Sequence, residues 1–345
     1  MHPDIHIVGS VAMEDSESVF RALSTKLAPW LQRIPDGETG KRHRWIYWQR
    51  EMLLSHPDME LDPDARPLRL CQWDGTLIRN TELVHFRPGV NPSNVVFETG
   101  YASAAIDSYA VFRRLREEGV IPATVRFQVC LPTPMASGFM YVSPQALEDF
   151  LPVYEKALIS ALHLILDATC HQDLALQWDI CQEVLIFEDY FPGRPVDYKQ
   201  RIFDQLARLG EHVPTEVELG YHLCYGTPKD EHLVMPEDTA ILVEIANGIT
   251  GSLQRRLDFI HMPVPKDRVD DAYYAPLSQL QLSNEARLYL GLIHHDDHAG
   301  DMARIIAARK VVPAFGIASE CGWGRTDPQR VPGLIESHRR AIEQM

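Results

Sequence analysis

The residues with the most chemistry in this chain are His222 and Cys224, within Gly220-Tyr221-His222-Leu223-Cys224-Tyr225, and Cys321 far downstream. Strand side chains alternate with period two, so a His-x-Cys pair at a strand end aims both groups at one spot. An imidazole and a thiolate pointing together, with a second thiolate arriving from elsewhere, form a soft donor set that suits Zn²⁺. A His-x-Cys pair alone carries little specificity, so the weight falls on what the rest of the chain brings to it.

Alternating strands and helices must position these residues. An apolar strand is expected at 5–8, ended by Gly9-Ser10, and a helix at 16–28, where Val19, Phe20, Leu23 and Leu27 recur at helical spacing. Ile106, Tyr109, Phe112 and Leu115 predict a second helix over 103–118, with Gly119 and Pro122 as stop signals. Further strands are expected just before Asp36 and at 124–131, 174–180, 217–224, 257–262, 288–293 and 312–317. Ser143-Pro144 combines a capping hydroxyl with a proline suited to a first helical turn, predicting a helix to Leu166 with a kink at Pro152. Another helix is expected over 238–253. Such alternation implies parallel strands joined by right-handed crossovers. With this many strands in 345 residues, it points to an α/β fold, a (β/α)8 TIM barrel running through 1–345. The Pro-rich stretch 56–67 reads as a surface excursion.

In such a barrel, chemistry gathers at the carboxyl ends of the strands. The polar residues expected there are Gly9-Ser10, Asp36-Gly37-Glu38, Thr133, Asp179, His222 with Cys224, His261, the run His294-His295-Asp296-Asp297-His298, and Glu320-Cys321. Each has an ordinary reading: Asp36-Gly37 as a turn, Asp179 as a helix cap, His261 as a core histidine, the His294 run as an exposed loop. Their concentration at one end of several strands is the signal.

A formal net charge of −15 argues against nucleic acid and anionic membrane as partners. No apolar run reaches the roughly 18 residues a membrane span needs. The start of the chain lacks a signal-peptide pattern, and the six cysteines are scattered without a dense framework. Both fit a cytoplasmic protein with free thiols.

These residues resemble the zinc-binding catalytic domain of cobalamin-independent methionine synthase, within the uroporphyrinogen decarboxylase/MetE-like barrels. His222-Leu223-Cys224-Tyr225 and Cys321-Gly322 are similar to its metal-binding motifs. Val8-Gly9-Ser10 resembles the Ile-Gly-Ser that holds the carboxylate of homocysteine. Asp36-Gly37-Glu38 resembles a His-Gly-Glu, and Gln177-Trp178-Asp179 a Gln-Ile-Asp, whose acidic residues contact the substrate's amino group. The resemblance implies zinc held by His222, Cys224 and Cys321, with Gly9, Ser10, Glu38 and Asp179 binding substrate.

This chain also departs from the family. The family's remaining metal ligand is a Glu at the end of the next strand, where this chain has His261, which is therefore the expected ligand beside His222, Cys224 and Cys321; Glu244, inside an expected helix, is the weaker candidate. The family's Asp-Glu-Pro is here Asp179-Ile180-Cys181, and its Asp-x-His-Ser is here His294-His295-Asp296-Asp297. His294, His295, Asp296 and His298 are therefore the expected proton-handling group. The folate-binding half of the long synthases has no counterpart in these residues.

The leading expectation is a zinc-dependent thiol S-alkyltransferase, moving a methyl group to homocysteine or a similar small, amino-acid-like thiol. Its donor would be a small molecule or a methyl-donor protein. Two alternatives use the same residues: a zinc-dependent lyase or decarboxylase acting on a small carboxylic acid, and a non-catalytic barrel stapled by a closed zinc site.

Overall fold

The computed structural model describes residues 4–191, 194–229 and 231–345. The chain enters a parallel sheet with β1 (Arg33–Pro35), then makes two small antiparallel pairs. These join β2 (Met59–Leu61) to β5 (Val84–Phe86) and β3 (Leu68–Cys71) to β4 (Leu77–Thr81). It returns to the main sheet as β6 (Arg126–Pro132), β7 (Leu174–Ile180), β8 (Glu218–Leu223), β9 (Phe259–Pro263), β10 (Arg287–Ile293) and β11 (Gly316–Ser319). The seven strands lie in the order β1-β6-β7-β8-β9-β10-β11, all parallel.

The stretch through Ile5 fills the gap between the two edge strands. Ile5 bridges both Leu31 and Ile317, and the backbone amides of Ile5, His6 and Ile317 donate to Trp30, Ile317 and Asp4 at 2.9 Å. The sheet thereby curls into the expected α/β barrel, its first stave reduced to a few bonds.

The helices are α1 (Ser16–Leu27), α2 (Tyr47–Ser55), α3 (Tyr101–Glu117), α4 (Pro134–Tyr141), α5 (Leu147–Ala168), α6 (Gln182–Phe187), α7 (Tyr198–Glu211), α8 (Ala240–Ser252), α9 (Asp271–Tyr274), α10 (His298–Arg309) and α11 (Val331–Glu343). Covered by helices outside and filled within, β7 and β9 are buried at every residue, as a parallel sheet requires. None of the described helices is long and apolar enough to cross a membrane.

The barrel floor is a buried ionic plug. Arg33 lies 4.0 Å above the Phe259 ring and donates to Glu218 and to the Tyr289 hydroxyl, each at 3.0 Å. Tyr289 in turn donates to Asp4 at 2.9 Å, and Arg287 pairs with Asp4 at 2.6 Å. The opposite, carboxyl end stays open for a site.

Several expected boundaries move. Ser143-Pro144 does not start a helix: the Ser143 amide donates to Val84 at 2.9 Å, tying this stretch to β5, and α5 begins only at Leu147. Thr133, expected just past a strand, also takes the N-cap position of α4, a buried helix whose lack of a polar face hides it from periodicity. The strand expected at 312–317 begins at Gly316, beyond Pro313, which has no amide to donate.

Glu183, inside the short helix α6, is fully buried, and burial pushes its carboxyl up to about 7, with the Thr133 hydroxyl pulling only partly back. A folded value above the unfolded one stabilises at low pH and is lost as pH rises through about 7. Glu183→Gln is therefore expected to gain roughly 1–2 kcal/mol near pH 8 and nothing near pH 4, read from denaturant midpoints.

Candidate active site and metal centre

Parallel register sets Asp179 beside His222, and His222 beside His261, so three polar residues share one level across β7, β8 and β9. Cys224 is the first residue beyond β8, and Cys321 the second beyond β11. One ligand atom from each of His222, Cys224 and Cys321 lies within 4.8 Å of the others. The two sulfurs are 3.6 Å apart, and Cys321 Sγ is 3.8 Å from His222 Nε2. This group could hold a metal ion, and its soft, convergent donors fit Zn²⁺.

The surrounding residues already favour a thiolate here. A hydrogen bond from Cys224, then the Arg325 guanidinium and His222, hold the Cys321 thiol well below the usual range despite burial. Cys224 is pushed up by Cys181 and Cys321 beside it and by burial, so it keeps the proton the pair shares. Arg325 donates to Cys321 Sγ at 3.2 Å and is braced by the Thr227 carbonyl and hydroxyl at 2.8 Å.

His261 stands behind His222, its Nδ1 2.7 Å from His222 Nδ1. Burial first, and then His222, hold the His261 ring well below the usual histidine range, so it stays neutral. When His222 Nδ1 carries the proton of this bond, His222 Nε2 keeps its lone pair towards the two sulfurs.

A cleft of about 1010 Å³ opens over these residues, and Gly9, Ser10, Glu38 and Asp179 line it together with His222, Cys224 and Cys321. Glu38 and the preceding Gly37 both have positive φ, 47° and 79°. A side chain at Gly37 would meet Val19 at 2.6 Å, so the turn that delivers Glu38 needs glycine before it. Gly9 allows a close approach of a different kind: a Cβ there would come within 3.0 Å of Glu38 Oε1.

Asp36 caps this turn, accepting from the Glu38 amide at 2.9 Å and pairing with Arg42 at 2.6 Å. Asp179 accepts from Trp45 Nε1 at 3.1 Å and from Gln177 Nε2 at 2.9 Å. Gln177 also donates to Val8 at 2.7 Å, so its oxygen takes the proton of His6 Nε2 at 2.9 Å. Burial, then the charge of Asp179, raise the Glu38 carboxyl well above its usual range. Burial likewise pushes Asp179 up to about 6. Two buried carboxyls thus share one wall of the cleft, with Arg42 and Arg325 only partly offsetting the effect of burial on Glu38.

The remaining expected residues lie elsewhere. Glu244 is on the outer side of α8, paired with Lys199 at 2.5 Å. His294, His295, Asp296 and His298 do not line the cleft. His294 faces the Val264 carbonyl at 3.0 Å, and His295 lies 3.4 Å from the exposed Asp296. His298 opens α10, 3.2 Å from Gln344. Glu320 turns to the buried His232 at 2.6 Å.

Sequence reasoning missed Arg325, Trp45 and Cys181 in the cleft wall, and Arg42 as the partner of Asp36. Arg325 lies four residues beyond Cys321 in an irregular loop, where no periodicity marks it. Trp45 and Arg42 sit in the long excursion after β1, where no periodicity points to the cleft.

No family model matches this chain, and no curated protein matches it. Solved structures do. A B12-independent methionine synthase from Shewanella sp. W3-18-1, in complex with selenomethionine, is 13% identical and aligns over 99% of this chain and 98% of its own, with a TM-score of 0.65. A putative vitamin-B12 independent methionine synthase from Listeria monocytogenes is 16% identical over 100% and 99%, with a TM-score of 0.57. A methyltransferase from Methanosarcina mazei is 11% identical over 98% and 94%, with a TM-score of 0.51. The chain shares their fold from end to end, and the fold resemblance read from its motifs is borne out.

Proposed function

We propose that this chain is a zinc-dependent thiol S-alkyltransferase that methylates homocysteine or a similar amino-acid thiol, the whole barrel serving as one catalytic unit. The observation that carries the reading is the pairing, in one cleft, of the His222–Cys224–Cys321 donor set with the buried carboxylates of Glu38 and Asp179. A metal-binding end and an ammonium-binding end suit a small molecule bearing both a thiol and an amino group. The methionine synthase structures that share this fold support the reading through fold alone.

Zinc held by His222, Cys224 and Cys321 would supply a lowered thiol pKa, making the substrate a thiolate at neutral pH. The chain's own residues do the rest. Glu38 and Asp179 take the substrate ammonium, and the Gly9-Ser10 turn faces its carboxylate end, removing much of the orientational entropy of the encounter. Arg325, bonded to Cys321 Sγ, keeps a positive charge beside the sulfurs. In the transfer itself, the sulfur lone pair forms the new S–C bond. The donor's bond to that carbon breaks, and its electron pair leaves with the donor.

His261 acts here as a positioning residue, accepting the His222 Nδ1 proton and so fixing the ligating tautomer. His261→Ala is expected to weaken zinc binding about 10–100-fold while leaving one imidazole and two sulfurs around the metal by X-ray absorption. His261→Asn, which restores an acceptor at the same place, should recover part of the loss. Two imidazoles in the wild-type spectrum would instead make His261 a ligand.

The reading is tested by loading the purified chain with zinc and supplying homocysteine with a panel of methyl donors: a sulfonium, methylcobalamin and an aromatic methyl ether. Metal-dependent formation of methionine or its homologue supports it. A zinc-loaded chain that binds the thiol yet alkylates it with no donor overturns it. The lyase alternative loses its acid–base group, because the His294 run stands outside the cleft.

A further inference from the structure

We propose that the outer half of the cleft is an anion site that holds a small-molecule alkyl donor bearing a carboxylate or phosphate on an apolar body. This rests on the transferase reading and names its missing partner.

The first argument is room. A cleft of about 1010 Å³ is at the upper end of what a drug-sized ligand fills. An amino-acid thiol engaging Glu38, Asp179 and the cysteines occupies only its inner end. The outer wall is built by the excursion after β1: Leu70 from β3, Ile78 and Arg79 from β4, and Arg44 and Tyr47 around the start of α2, facing Tyr141 at the end of α4.

The second argument is charge. Arg44 and Arg79 flank the Tyr47 ring, their guanidinium carbons 6.0 and 5.3 Å from its centre. Arg50 joins Arg79 beside the Tyr141 hydroxyl, where both oppose the effect of burial on that phenol. None of these three arginines forms an ion pair among the described residues, and the Arg79 Nε is buried without a hydrogen-bond partner. Elsewhere in this acidic chain, buried and half-buried guanidiniums are neutralised: Arg33 by Glu218, Arg42 by Asp36, Arg304 by Asp301.

Gathering like charges without a counter-ion is unfavourable, and an anionic ligand supplies the missing partner. The planar guanidinium fork is suited to carboxylate and phosphate oxygens. The buried carboxyls Glu38 and Asp179 stand at the end with the cysteines, where Arg325 is already engaged with Cys321, whereas Arg44 and Arg79 belong to the wall built by the excursion. A donor anchored by its anion on the wall has its apolar body along Leu70, Ile78 and Tyr47, and its alkyl carbon directed inward to the thiol.

The test uses two probe anions, terephthalate and phenyl phosphate, with the neutral diamide of terephthalate as control, titrated by calorimetry into the full chain. Both anions are expected to bind, the diamide at least about tenfold more weakly, and added salt should weaken the anions alone. The preferred anion separates a carboxylate from a phosphate donor. Arg79→Met is expected to cost about tenfold or more in anion affinity. Arg44→Gln, at an exposed position that tolerates change without unfolding, should cost severalfold by itself. Diamide binding equal to that of the anions, or wild-type anion affinity in both variants, overturns the proposal. Metal content measured on the same samples separates the two readings. Zinc present without anion binding removes the donor site only, whereas anion binding in a chain that takes up no zinc removes the transferase.

Discussion

Cys224→Ser is expected to leave a folded chain that has lost its zinc. Wild-type protein should carry about one zinc per chain by elemental mass spectrometry, as three convergent soft donors require. Small thiolate–imidazole sites bind zinc with roughly 10–16 kcal/mol at neutral pH. If the three protein donors share this comparably, losing one costs a few kcal/mol, at least about a hundredfold in Kd. Serine fits the buried Cys224 position with little change of volume, so stability should fall by only about 1 kcal/mol. Cys321→Ser should cost a similar amount, because either variant leaves one imidazole and one sulfur to hold the ion. Chelator competition on wild type and both variants gives the numbers. Zinc bound equally well by all three would remove the metal centre from this cleft.

Glu38→Gln is expected to act in opposite directions on stability and on substrate binding. The folded carboxyl titrates well above its usual range, because it is buried and faces Asp179. A group raised in this way stabilises the fold fully at acid pH, and that contribution is lost as pH rises through the folded value. Above it, the chain holds two buried carboxylates that repel each other. Glutamine removes one charge, so the thermal midpoint should rise by about 2–4 °C near pH 8 and stay unchanged near pH 4. Binding of an amino-acid thiol should fall at least about tenfold at the higher pH, since a charge-assisted bond to the ammonium is gone. A pH-independent stability change, or full thiol affinity in the variant, would contradict the assignment of Glu38 as part of an ammonium receptor. Stability given up by the substrate-free cleft in exchange for binding is common at functional sites.

Both predictions concern residues that the sequence alone had singled out. The alternation of apolar runs and helical periods was enough for the barrel, and β7 falls where the apolar run 174–180 put it. Period-two geometry was enough to pair His222 with Cys224, and strand-end position was enough to bring Glu38, Asp179 and Cys321 into the same cleft. These are local properties: a strand's pleat and its exit point are written in a few neighbouring residues.

Properties that depend on register between strands, or on where a long connection folds back, are not written locally. His261 is the third residue of β9, level with His222, and so lies against the back of that ring. The His294 run follows β10 as expected, yet its first imidazole faces the Val264 carbonyl and the rest lie outside the cleft. Trp45, Arg44 and Arg79 come from the excursion between β1 and α3, whose residues reach the site only because it folds back over the barrel mouth. The barrel and the donors at its strand ends could be read directly from the chain, because those follow from periodicity. Which donors face one another, and what walls the cleft, emerged only in the folded chain, because hydrogen-bond register and the return of a distant loop are set by packing across all of it.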